Sequence, residues 1–109
     1  MINIDEEKKI VRNAEDDFLG FLNDDYTQVG YLAAYIRRSE PSLKAEDVKR
    51  LTKDVIRDLI ENKGVYHVRV TTEQREDIPL EKVMNEIDDM FRITNGNPGV
   101  GDGIWFGRD

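Results

Sequence analysis

The chain predicts an α+β fold: three to four helices packed on a small antiparallel sheet, partly winged-helix-like in its order of elements. Three observations carry that expectation. Apolar residues recur at helical spacing as far as Asn62, a period-two stretch begins at Val65, and a short apolar run, Ile104-Trp105-Phe106, lies near the end. At 109 residues, with no internal repeat and no low-complexity segment, a single domain (1–109) is expected.

The elements follow in order. Asp5 to Leu22 reads as an amphipathic helix with Ile10, Ala14, Phe18, Phe21 and Leu22 on one stripe. Asp5, Glu6 and Glu7 suit its first turn, where the helix dipole favours negative charge. Asn23-Asp24-Asp25 breaks it. A second helix is expected from Tyr26 to Arg38, burying Val29, Leu32, Ala33 and Ile36, with Tyr31 and Tyr35 on a flank. Pro41 stops it, since the residue before a proline is pushed out of the helical region. The third helix, Leu43 to Asn62, has Ser42 as its expected N-cap and Gly64 as its left-handed stop.

Val65 to Thr71 alternates, with Tyr66, Val68 and Val70 on one face and His67 and Arg69 on the other, as a half-buried strand does. Thr72 to Asp77 reads as a charged loop. Pro79 opens a last helix with Leu80, Val83, Met84, Ile87, Met90 and Phe91 apolar. Asn95 to Gly103 is too rich in Gly, Pro and Asn for a regular element. Ile104–Phe106 is expected to pair with Val65–Thr71.

Composition narrows the function. Acidic residues outnumber basic ones by 23 to 16, a formal net charge of −7, which repels phosphate backbones and draws basic partners. Nucleic acid is therefore disfavoured as a partner unless a local basic stripe overrides the average. With no cysteine, disulfides, thiolate nucleophiles and zinc–thiolate sites are excluded. Met1 to Glu7 shows no basic segment followed by an apolar one, and no apolar run nears the ~20 residues of a membrane helix. The expected location is the cytoplasm of a bacterium, with no membrane association.

No motif demands catalysis. His67 is the only histidine, it sits in a strand, and no Gly-x-Ser-x-Gly elbow accompanies it. No cluster has metal-ligand spacing, so neither metal nor cofactor is expected. The doublets Asp16-Asp17 and Asp88-Asp89 point about 100° apart on a helix and make no convergent acid–base pair. Glu86 and Asp89, and Asp54 and Asp58, do share faces. These acids read as solvated faces that together form a negative binding surface. The glycines from Gly96 to Gly103 fail both nucleotide-loop spacings and lack the Lys-Ser/Thr pair, so they read as a structured loop.

Two helices followed by a strand resemble a winged-helix half. The third helix carries Lys49, Arg50, Lys53 and Arg57, the candidate DNA-binding set, but Glu46, Asp47, Asp54, Asp58 and Glu61 share it. Pairs such as Glu46–Arg50 are expected to absorb most of that charge.

The run Asp58-Leu-Ile-Glu-Asn-Lys-Gly-Val-Tyr66, the helix Ile78 to Phe91, and the tail Asn97 to Phe106 with Asn97, Pro98, Gly101, Asp102 and Trp105 complete the pattern. Over residues 26–106 it resembles small bacterial proteins, some of them similar to immunity proteins of polymorphic or contact-dependent growth-inhibition toxins. That resemblance implies a non-enzymatic protein that neutralises a cognate, basic toxin domain by binding it. The expected contact residues are the acids Asp16, Asp17, Asp24, Asp25, Glu73, Glu76 and Asp77. A winged-helix regulator, and a homo-oligomer built on the Tyr31/Tyr35 flank, are the rival readings.

Overall fold

The computed structural model describes residues 3–69, 72 and 74–109 of the protein. Among them are four helices and one four-stranded antiparallel sheet, an α+β fold. Helix α1 (Ile4–Leu22) is capped by Asn3, whose Oδ1 accepts the Glu6 N–H at 2.8 Å, ahead of the acidic first turn. Ala14, Phe18 and Leu22 are buried as the stripe predicts, but Phe21 is 47% exposed. Helical spacing sets a side chain's direction and does not decide whether anything lies there to cover it.

The second helix starts later than its periodicity suggests. Thr27 and Gln28 form strand β1, paired with Phe106 and Trp105, and α2 spans Val29–Ser39. Nothing local marks β1, because its partners lie almost eighty residues away in sequence. Helix α3 spans Ala45–Asn62, and Ser42 does not cap it. Ser42 instead donates its N–H and hydroxyl to Glu40 Oε1 at 3.2 and 2.8 Å. Lys44 takes the N-cap position, with its N–H donated to Asp47 Oδ2 at 3.3 Å. Gly64, at φ +72°, ends the run as its residue type requires.

Strand β2 (Val65–Arg69) buries Val65 and Val68, three apart, rather than a strictly alternating set. Both faces are covered in part: His67 meets Phe106 edge-on, and Arg75 lies 4.8 Å over the Tyr66 ring. Val70 and Thr71 lie outside the described residues. Within the expected charged loop, Gln74–Arg75 form β3 and close a hairpin on β2. Helix α4 (Leu80–Ile93) begins after Pro79, and β4 (Trp105–Arg108) pairs with both β1 and β2. The strand order is β1-β4-β2-β3, so the last strand in sequence lies inside the sheet. One apolar cluster joins all four helices to β2 and β4, with Phe18, Ile56, Leu59, Ile87 and Phe106 fully buried.

The Gly-rich tail is built into this core. Asn95, Gly96, Gly101 and Gly103 have φ between +56° and +97°, and Gly96 donates to Phe91 O beyond the end of α4. Gln28 gives α2 no side-chain cap. The tail supplies one: Val29 N–H donates to Ile104 O and Gly30 N–H to Asp102 O, each at 2.9 Å. Arg37 donates to Asn97 Oδ1 and, at 3.0 Å, to Pro98 O. The loop presents carbonyl oxygens where a phosphate cradle needs amides, in keeping with the structured-loop reading.

Candidate partner-binding face

The expected acidic contacts fall into two groups. Asp16 and Asp17 lie on the second half of α1, and Asp24 and Asp25 lie in the turn before β1. Glu76 and Asp77 follow β3, at the opposite edge of the sheet. Three strand spacings, about 14 Å, separate those edges. Glu73 lies outside the described residues.

The second group is also internally satisfied. Glu76 accepts from Arg69 Nε at 2.6 Å and lies 3.5 Å from His67 Nδ1. The Arg69 guanidinium holds its carboxyl below the usual range. Asp77 pairs with Arg75 at 3.0 Å. Their charge is spent in steadying the hairpin.

The first group is different. Both the Asp24 and Asp25 amides donate to Phe21 O at 3.1 Å, which folds the turn back beside the Phe21 backbone. Asp25 Oδ1 accepts the Tyr26 N–H at 2.7 Å. Asp17 Oδ2 accepts the Tyr31 hydroxyl at 2.7 Å, and burial together with that bond pushes the Tyr31 pKa up to about 12. The Tyr31 ring meets Phe21 at 4.7 Å and stacks on buried Phe18 at 6.4 Å. Phe21 is thus an exposed ring held on a fixed aromatic base. Among the described residues, Asp16, Asp17, Asp24 and Asp25 enter no ion pair.

No family model, curated protein or solved structure matches the chain. The site therefore stands on its own geometry.

The four cations of α3 are each committed. Lys49 pairs with Glu46 at 3.4 Å and Arg57 with Asp54 at 3.3 Å, one turn apart on the helix. Arg50 grips Glu7 of α1 through two bonds of 2.9 Å and also reaches Asp47 rather than Glu46. Lys53 crosses to Asp88 of α4 at 2.9 Å. The helix spends its charge on its own acids and on those of α1 and α4, and a duplex would have to displace them.

Sequence reading missed two features because each depends on a partner helix. Periodicity places Phe21 in the core, and the structure leaves it 47% exposed beside Tyr31 of α2. Glu15, on α1, shares a hydrogen bond with Asp58 of α3 in a groove of about 460 Å³, where burial and then Asp58 push its pKa up to about 7. No described group of three or more His, Cys, Asp or Glu is placed to hold a metal. No described helix is long and apolar enough to cross a membrane.

Proposed function

We propose that this protein is a non-enzymatic, acidic protein-binding module that neutralises a basic partner, of the kind the tail resemblance implies: a toxin domain, blocked by direct contact in the cytoplasm. The carrying observation is Phe21, an exposed ring on a rigid aromatic base, near aspartates that enter no ion pair among the described residues. An aromatic anchor ringed by charge has the anatomy of an interface centre. Unpaired carboxylates speed encounter with a basic surface and set its orientation. Of the seven acids expected to make contact, the reading keeps Asp16, Asp17, Asp24 and Asp25 and releases Glu76 and Asp77 to the hairpin.

The test is binding of the toxin-like product encoded by the neighbouring gene, measured by surface plasmon resonance across a salt series. Phe21→Ala is expected to raise Kd by about tenfold to thirtyfold, the size of an anchor residue. Asp24→Lys with Asp25→Lys is expected to lower the on-rate and flatten its salt dependence. Affinity indifferent to all three changes would sink the reading. Salt-sensitive capture of generic duplex DNA, lost in Lys53→Ala, would support the winged-helix rival instead.

A further inference from the structure

The last turn of α4 and the tail leading into β4 line a small, open pocket of about 180 Å³. Met90, Ile93 and Ile104 give it an apolar lining, and its charged residues are all acidic: Glu86, Asp89 and Asp102. Its walls are fixed by packing. A Cβ on Gly103 would lie 2.5 Å from both Met90 Sδ and Val29 Cγ1, so the tail backbone rests directly on α4 and α2. Asp102 Oδ2 accepts the Gly99 N–H at 2.8 Å, which holds that carboxylate in place. Ile93 is 71% exposed, an apolar surface with no internal cover.

The electrostatics select the occupant. Asp89 meets Arg92 at 3.1 Å, while Glu86 and Asp102 enter no ion pair among the described residues. A negative rim over an apolar floor matches a side chain with an alkyl stem and a cationic head. Three carboxylates around one pocket suit the multi-donor guanidinium better than a single ammonium.

We infer that this pocket receives an arginine side chain of a protein partner, its stem against Met90, Ile93 and Ile104 and its guanidinium among Glu86, Asp89 and Asp102. The inference rests on the proposed basic partner and assigns it a second contact. One partner can reach both places. The turn at Asp25 and the start of α2 at Val29, which bonds Ile104 O, are at most about 14 Å apart along the chain.

The probe is N-acetyl-arginine amide, titrated into the ¹⁵N-labelled protein, with the neutral isostere N-acetyl-citrulline amide as control. Saturable shifts are expected at the Thr94, Gly99, Gly103 and Ile104 amides with arginine, and not with citrulline. Glu86→Gln, on the outer part of a well-packed helix, is expected to raise the apparent Kd about threefold to fivefold, the weight of one solvent-exposed ion contact. Equal response to citrulline, shifts centred on Asp24–Asp25 or scattered over the acidic surface, no saturable response, or indifference to Glu86→Gln would each overturn the assignment. Absent arginine shifts, with Phe21-dependent partner binding intact, would remove this pocket alone. Arginine binding here, with a partner indifferent to Phe21→Ala, would remove the Phe21 face and leave the pocket.

Discussion

Three residues show how environment overrides identity. Phe21 belongs to the apolar stripe by spacing, yet it is 47% exposed, resting against the Tyr31 ring. Asp17 reads as one half of a solvated doublet, yet it takes the Tyr31 hydroxyl and fixes that ring. Glu15 reads as an ordinary surface acid, yet it shares a bond with Asp58, facing Asp16 on its own helix and Lys63 at the end of α3. Because its folded pKa is raised from 4.5 to about 7, the native state holds a proton that the unfolded chain releases above 4.5. The sign follows from linkage: stability falls as pH rises from 4.5 through 7, and below 4.5 this group adds no slope. Asp58 is lowered from 3.8, so its own contribution is lost only in stronger acid. Glu15→Gln is therefore expected to flatten the decline in urea midpoint between pH 5 and 7.5, as titration melts of both proteins would reveal. An unchanged slope would mean that Glu15 does not carry it.

At the scale of the element, the tail acts as the missing cap of α2. The Asn-Pro-Gly composition foretold an irregular segment and the positive φ angles its glycines adopt. It did not foretell that Asp102 and Ile104 carbonyls would receive the first two amides of α2, or that Arg37 would clamp Asn97 and Pro98. Gly30 is the hinge of this arrangement: a Cβ there would collide with the Gly99 and Asp102 carbonyl oxygens. Backbone cannot retreat as a flexible side-chain end can, so Gly30→Ala is expected to cost about 1–3 kcal/mol, as overpacking does. Differential scanning calorimetry would register it as a lowered Tm, with Gly20→Ala unchanged or raised, since open space surrounds that helical position. Equal effects at the two glycines would remove the tail-packing argument.

For the whole molecule, the arrangement of charge and the closure of the sheet come from long-range contacts. Lys53 to Asp88 and Arg50 to Glu7 tie α3 to its neighbours, so two of the four cations on this helix are held by acids of other helices. Asp16, Asp17, Asp24 and Asp25 near the end of α1, and Glu86 and Asp102 beside the last turn of α4, enter no ion pair among the described residues. β4 lies between β1 and β2 and carries fully buried Phe106 into the core. Deleting residues 104–109 would strip the inner strand, one core aromatic and one of the α2 caps together. The truncated chain is expected to lose cooperative unfolding by circular dichroism, and Phe106→Ala to cost about 3–5 kcal/mol. A truncated protein that still melts cooperatively near the parent temperature would show that the helices form a core without the sheet.

The sequence by itself determined the class of fold, the four helices to within a few residues, the β2–β4 pairing and the irregular, glycine-dependent tail. These follow from apolar periodicity, turn chemistry and backbone preference, all of which act over a few neighbours. Only the tertiary structure decided which acids remain free, which apolar side chain stays uncovered, and where two-residue strands form. Charge neutralisation, burial and strand pairing each require a partner from a distant part of the chain, and no local pattern records which partner arrives.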